Sequence, residues 1–399
     1  MPGLRAAFLP DTFQEVNGVA HTSRQFEAFA RRRHIPFLSV HAGPQTASST
    51  SGSVRTVELK RGSFKFGLDA HLDYDPFLWR YAAYVEQEIR DFGVDLIHVT
   101  GPGDMGMLGL LLARRLGLPL VVSWHTSLHE YAGRRLERAL SFVGRKLSGA
   151  CSGMIERLAL RILLSFYRKA AVILAPNEEL RQLLAEATGR PAFLMKRGVD
   201  TTLFSPVHRG RISSAFRIGY VGRLTAEKNV RFLAELARAL QLLGRDNFEI
   251  VIVGEGREES WLRENVPHAV FTGVLRGESL AAIYASLDLF VFPSRTDTFG
   301  NVILEALASG VPAVVTSAGG PRFLIEPGVT GLIAATDWEF VTAVNRMMTD
   351  SSLHRCMRRA AREYAVHQSW DTVFEQVYLS YELCRTAEPG VKHAALGSA

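Results

Sequence analysis

Cysteine is scarce: the 399 residues hold three, Cys151, Cys356 and Cys384. The number is odd, the spacing wide, and no metal-ligand pattern is present. That excludes a disulfide framework and predicts a reducing, cytoplasmic setting. Long apolar runs are missing too. None approaches the roughly 18–20 residues of a membrane span. The N-terminus carries one early charge, Arg5, and a short run to Leu9 before Asp11, so it reads as a first strand and not as a signal peptide. There is no P-loop and no Gly-x-Ser-x-Gly, and no internal repeat beyond a general doubling. His125, His129 and Glu130 lack the His-Glu-x-x-His order and a third ligand, so they make no zinc site. No metal or other cofactor site is read from these residues.

What remains is an ordinary globular composition, 47% apolar and 22% charged. The length suits two domains of about 150–200 residues each. The net charge is +6 but unevenly spread. Between Arg134 and Lys169 nine basic residues meet two acids, so that segment carries +7 and the rest of the chain −1. A local positive face predicts an anionic partner at one place and argues against nucleic acid. Within it Met154, Leu158 and Ile162 share one helical face, and Arg157, Arg161 and Arg168 another. Such a helix can lie on anionic lipid; it can equally pack in a core with its arginines solvated.

Strands and helices alternate along the chain. Apolar strands are predicted at Leu4–Leu9, Pro36–Val40, Val54–Leu59, Asp95–Val99, Leu120–Trp124 and Ala171–Ala175. Helices follow most of them: His21–Arg32, Phe77–Phe92, Asp104–Leu116, and one capped by Asn177. Gly43–Ser53, rich in Ser, Thr and Gly, reads as a flexible loop. Lys60–Asp75 reads as long and irregular, its Asp73-Tyr74-Asp75 as incidental. Lys196–Pro206 looks like a boundary. Beyond it strands are predicted at Phe216–Val221, Phe248–Val253, Val270–Thr272, Leu289–Phe292 and Ala313–Thr316, with helices at Val230–Leu243 and Ser279–Ser286. This alternation means right-handed βαβ units and doubly wound parallel sheets, with ligands at the carboxyl ends of strands. Asn17, Gly18, Gly101 and His125 fall at such ends.

One stretch, Phe292–Pro312, organises the second half. A strand ends at Pro293, a polar loop follows, and a helix starts near Phe299 or Gly300 and stops at Gly310-Val311-Pro312. Asp297 lies before the helix and Glu305 within it, seven residues between them. The free amides at Gly300, Asn301 and Val302 and the positive helix end form an anion site, with phosphate the expected anion. Gly222–Asn229 follows another strand and offers Arg223 and Lys228, a fork and a point charge able to converge on a diphosphate.

These motifs resemble those of the retaining GT-B glycosyltransferases of family 4. Asp297 and Glu305 match its Glu-x7-Glu signature, with Asp in the first place. Gly222-Arg223-Leu224 through Lys228 matches its Gly-Arg-Leu-x-x-x-Lys element. Arg197-Gly198-Val199-Asp200 resembles its Asn-Gly-Val-Asp segment, with Arg for Asn. The resemblance spans nearly the whole chain and is strongest from Gly219 to Ile333. It implies two Rossmann-like doubly wound domains facing a central cleft: residues 1–198 on the acceptor side, a linker at 199–214, a nucleotide-sugar domain at 215–368, a helix at 369–386 crossing back, and a loose tail at 387–399.

The resemblance also implies roles. Arg223 and Lys228 would neutralise charge on the departing nucleoside diphosphate, in place of a metal. Glu305 would take the ribose hydroxyls, Asp297 the donor sugar, and His125 the transferred sugar near its reacting carbon. Asn17 and Gly18 would form a loop between donor phosphate and acceptor. Gly254-Glu255-Gly256 and Phe271–Val274, Val274 included, would hold the base. The activity implied is retaining hexosyl transfer from a nucleotide sugar, first GDP-mannose and next a UDP-hexose, to a glycolipid or lipid-linked acceptor, as in bacterial lipid mannosyltransferases and sulfoquinovosyl-lipid synthases. The site would be cytoplasmic, peripheral on the membrane's inner face. A sugar-nucleotide epimerase and an inactive nucleotide-sugar binder stay open as alternatives.

Overall fold

A computed structural model describes residues 3–15, 18–62, 66–69, 72–124, 160–210, 214–297 and 299–386. The chain divides into two compact units. The first comprises residues up to Lys196 and from Val373 onward; the second is Arg197–Thr372.

The first unit is built on an eight-stranded sheet in the order β10-β9-β8-β7-β1-β2-β4-β3. Its strands are β1 (Ala6–Leu9), β2 (Phe37–Gly43), β3 (Ala47–Ser51), β4 (Val54–Lys60), β7 (Leu96–Val99), β8 (Leu120–Ser123), β9 (Val172–Ala175) and β10 (Ala192–Leu194). All pair in parallel except β3. β1, β7, β8 and β9 are buried at every residue. Strands covered on both faces need continuous apolar runs, and Ala-Ala-Phe-Leu and Val-Ile-Leu-Ala supply them.

Two expectations change here. Gly43–Ser53 is not a loop, because β3 forms an exposed antiparallel edge on β4. Ser51 pairs with Val54, so Gly52, at φ 61°, and Ser53 make a two-residue hairpin turn. Lys60–Asp75 also holds a hairpin, β5 (Phe66–Asp69) with β6 (Leu72–Tyr74). Asp75 is buried, and its carboxylate accepts from the Gly62 and Phe77 amides at 2.7 and 2.9 Å and pairs with Arg80 at 2.8 Å.

The closing helix is Trp370–Thr386, and its residues from Val373 belong to the first unit. Phe374 stacks on Phe26 with ring centroids 4.4 Å apart. Tyr381 hydroxyl meets His98 Nδ1 at 2.5 Å, while His98 Nε2 meets Ser123 Oγ at 2.9 Å. Burial drives the imidazole down to about 3, so His98 is a neutral structural residue.

The second unit has a six-stranded parallel sheet in the order β13-β12-β11-β14-β15-β16. Its strands are β11 (Phe216–Val221), β12 (Phe248–Val253), β13 (Val270–Gly273), β14 (Leu289–Phe292), β15 (Ala313–Thr316) and β16 (Gly331–Ala334). Residues 199–210, expected as a linker, pack into this unit. Val199 donates to Gln368 O at 2.9 Å, and Asp200 Oδ1 accepts from Thr202 and Leu203 amides at 3.0 Å each. Helices Asp337–Thr349 and Ser351–Val366 complete it, started by the side chains of Thr336 and Asp350.

Of the basic segment 134–169, residues 160–167 are described as helical. Leu163, Leu164, Phe166 and Tyr167 are buried there. Ile162, expected on the apolar face, is exposed, as is Arg161. No described helix is long and apolar enough to cross a membrane.

Candidate functional site

In a doubly wound sheet the crevice opens where successive strands turn from one direction of growth to the other. In the second unit that point lies between β11 and β14. The loops leaving these two strands are therefore neighbours, although far apart in sequence. They carry the cation-rich element and the signature loop.

The two loops are fastened together. Lys228 Nζ forms an ion pair with Asp297 Oδ1, both side chains less than one-fifth exposed. Thr296 Oγ1 donates to Glu227 O at 3.1 Å, and Asn229 Nδ2 to Pro293 O at 3.3 Å. A third loop supports them from β15: Gly320 donates to Asp297 O at 2.8 Å and Thr316 Oγ1 to Ser294 O at 2.7 Å. Arg223 is largely exposed and pairs with Glu227 at 2.7 Å. Three buried polar atoms at this junction, Asp297 Oδ2, Ser294 Oγ and Thr225 Oγ1, have no hydrogen-bond partner among the described residues. A buried oxygen left so costs free energy unless a donor reaches it.

The signature helix is Asn301–Ala308. Gly300 precedes it at φ 101°, ψ 64°, a conformation that other residues avoid, and no side chain caps the helix. The first amides at Asn301 and Val302 are thus left for another acceptor. One turn further in, Glu305 Oε2 accepts from the Tyr284 hydroxyl at 2.9 Å. Burial pushes the Glu305 carboxyl up to about 7, and the Tyr284 hydrogen bond only partly opposes it.

The glycines of the β11 and β12 loops have a packing cause. A Cβ on Gly254 would overlap the Gly222 carbonyl, and one on Gly256 the Leu224 carbonyl. Gly222 donates to Val253 O at 3.0 Å and Leu224 to Glu255 O at 2.9 Å. Val274, just past β13, is half-exposed.

The other expected residues belong to the first unit or lie outside the described residues. Gly18 opens the helix Gly18–Arg32 of the first unit; a Cβ there would meet nothing within 4 Å. Asn17 and His125 lie outside the described residues, as do His129 and Glu130. Sequence reading missed Tyr284 and the Gly319-Gly320 turn. A glycine pair set off by two residues from a buried strand was the available signal for the last. Arg197 was noticed only as a departure from the motif: it is buried, and its guanidinium lies 5.9 Å from the Phe299 ring centre. Burial draws that guanidinium down to about 10.

The first unit's own switch point, between β7 and β1, is filled by the chain itself. Asp11 donates its amide to Thr100 Oγ1 at 2.9 Å. Its carboxylate accepts from Gly103 and Gly106 amides at 3.3 and 3.1 Å, so it occupies the start of the helix Asp104–Leu116. Burial and then Asp104 push the Asp11 carboxyl up to about 7.

A family model described as "Glycosyltransferase Family 4" matches residues 18–203, and one described as "Glycosyl transferases group 1" matches 215–350. A GDP-mannose-dependent alpha-mannosyltransferase of Mycobacterium tuberculosis is 30% identical over 96% of this chain and 98% of its own length. One from Mycolicibacterium smegmatis is 35% identical over 74% of this chain and 75% of its own. The chain belongs to the family 4 glycosyltransferases. Sulfoquinovosyl transferase SQD2 of Arabidopsis thaliana is a further relative, 31% identical over 71% of this glycosyltransferase and 55% of the plant protein. Among solved structures, a glycosyltransferase from Rickettsia africae superposes with TM-score 0.70 at 14% identity, covering 96% of this chain and 99% of that one. Anabaena HepE in complex with UDP and glucose gives TM-score 0.66 at 18% identity, covering 95% and 100%. The fold of this glycosyltransferase is GT-B, two parallel-sheet α/β units.

Proposed function

We propose that this glycosyltransferase moves mannose from GDP-mannose to an acceptor hydroxyl with retention of the α configuration and without a metal. The observation that carries the reading is the junction at β11 and β14, where Lys228, Asp297 and the uncapped helix start at Gly300 meet. The near full-length similarity to GDP-mannose-dependent enzymes supports the donor.

In this reading the diphosphate lies against the Asn301 and Val302 amides, and Lys228 and Arg223 turn from their carboxylates towards it. They stabilise charge that grows as the bond from the anomeric carbon to the phosphate oxygen breaks. Released from Lys228, Asp297 accepts hydroxyls of the donor sugar. Glu305, ionised on binding, accepts from the ribose. The acceptor oxygen forms its bond to the anomeric carbon on the face that the phosphate leaves. A lipid-linked acceptor fits the positive charge of residues 134–169.

Calorimetry in EDTA with GDP, UDP, GDP-mannose and UDP-glucose tests the donor. Preference for the guanine compounds is the expected result. Preference for the uridine compounds makes the enzyme a UDP-hexose transferase, and binding of none removes the site. The anomeric proton coupling in the product decides retention.

A further inference from the structure

The second unit has a second basic concavity, at the opposite end of its strands from the junction just described. A cavity of about 490 Å³ is lined by Pro206, Gly310, Glu363 and the arginines of the helix Ser351–Val366. Asp288 and Gly310 precede β14 and β15, so the cavity lies by the amino ends of these strands. The signature loop leaves the carboxyl end of β14, roughly 13 Å away at about 3.3 Å per residue.

Arg355, Arg358, Arg359 and Arg362 recur at three- and four-residue spacing, which puts them on one helical face. Two have a structural task. Arg358 donates to Leu287 O at 2.9 Å, and Arg362 to Ala308 O at 2.7 Å and Phe204 O at 2.9 Å. The Leu287 and Ala308 carbonyls end the helices Gly277–Ser286 and Asn301–Ala308, and all three carry only partial charge. Asp288 approaches Arg358 at 3.7 Å but is held by Arg209 at 2.7 Å. Glu363 is the one acid lining the cavity. Arg355 and Arg359 are exposed, and neither makes a hydrogen bond or ion pair among the described residues. Capping explains the inner pair and leaves the outer pair unexplained, since like charges so spaced repel on a helix.

We propose that this cavity binds a phosphate group, with Arg355 and Arg359 gripping its oxygens and Arg358 and Arg362 held rigid behind them. Guanidinium forks match phosphate geometry, and several around one hollow suit a phosphomonoester or diphosphate. The phosphate belongs either to a free solute or to a phospholipid headgroup.

The test uses the full chain with Lys228→Met, which weakens diphosphate binding at the other site. Inorganic pyrophosphate is titrated by calorimetry before and after adding Arg355→Ala and Arg359→Ala. Vesicles of phosphatidylcholine with and without phosphatidic acid are floated with the same proteins. Arg114→Ala with Arg115→Ala removes equal charge from the first unit as a control, and unchanged thermal melting confirms folding. A tenfold or larger loss of pyrophosphate affinity, absent in the control, is expected. Loss of flotation on phosphatidic acid as well assigns the group to lipid; loss of pyrophosphate binding alone assigns it to a solute. Equal behaviour with and without Arg355 and Arg359 in both arms, or no binding in either, overturns the site.

Discussion

Lys228 and Asp297 form an ion pair across the loops that leave β11 and β14, so each holds the other where the sheet brings both to one crevice. The arrangement is bistable in charge. An arriving diphosphate competes with Asp297 for the ammonium, and a sugar hydroxyl competes with the ammonium for Asp297.

That competition separates the two residues experimentally. Lys228→Met should weaken GDP binding at least tenfold, about 1.4 kcal/mol, because a charge-assisted contact to phosphate is lost. Asp297→Asn should leave GDP binding equal or tighter, since it frees the ammonium, while turnover falls by two orders of magnitude or more. Calorimetry and initial rates on the same preparations check both. An Asp297→Asn enzyme with unchanged turnover removes Asp297 from the chemistry.

Glu305 predicts a pH signature. Its carboxyl is raised from 4.5 to about 7 by burial. A ligand that donates hydroxyls to the carboxylate must first drive the proton off. GDP affinity should therefore fall about tenfold from pH 8 to pH 6, with proton release on binding visible as a buffer-dependent heat. Glu305→Gln should flatten the dependence. The stability sign runs the other way: a carboxyl that keeps its proton longer when folded makes stability fall as pH rises from 4.5 towards 7. Melting temperatures of the unliganded protein across that range, compared with Glu305→Gln, measure it.

Strands buried on both faces were readable from sequence, because Leu-Phe-Val-Phe or Ala-Val-Val-Thr between glycine and proline signals leaves little else to form. β3 was not, since Ser and Thr on an exposed edge carry no apolar pattern. The capping start Thr336-Asp337-Trp338-Glu339 was present and unread, with Glu339 Oε2 accepting from the Ala335 amide at 2.8 Å. The loops that meet at the junction were legible as motifs. The Tyr284 partner of Glu305 was not, because only the fold brings the two together. Asp11 is a further case, its partners Gly103 and Gly106 lying 92 and 95 positions away.

Gly18 and Gly106 should respond oppositely to the same change. At Gly106 a Cβ would overlap the Gly101 carbonyl, and a helix start pinned by Asp11 cannot retreat. Gly106→Ala should cost about 1–3 kcal/mol or more, seen as a lowered urea midpoint. At Gly18 a Cβ meets open space, so the fold does not require glycine. If a ligand backs onto that residue, Gly18→Ala should keep the urea midpoint and lose activity tenfold or more. Full activity in Gly18→Ala removes the loop from the reaction.

Arg61 ties three segments of the first unit together, and its loss should be felt through a charge. Its guanidinium meets Asp104 at 3.0 Å, Glu15 at 3.1 Å and the Asp11 carbonyl at 3.1 Å, with its side chain 10% exposed and that of Asp104 3% exposed. Arg61→Met leaves the Asp104 carboxylate buried without its cation, which should cost about 3–5 kcal/mol. Arg61→Lys should recover little, because one ammonium cannot reach all three oxygens. Adding Asp104→Asn to Arg61→Met should recover much of the loss, because the stranded charge is gone although the hydrogen bonds are not restored. The urea midpoints of the two single variants and the double variant close that cycle. If the double variant is no more stable than Arg61→Met, the cost lies in lost packing around the arginine stem and not in the buried charge.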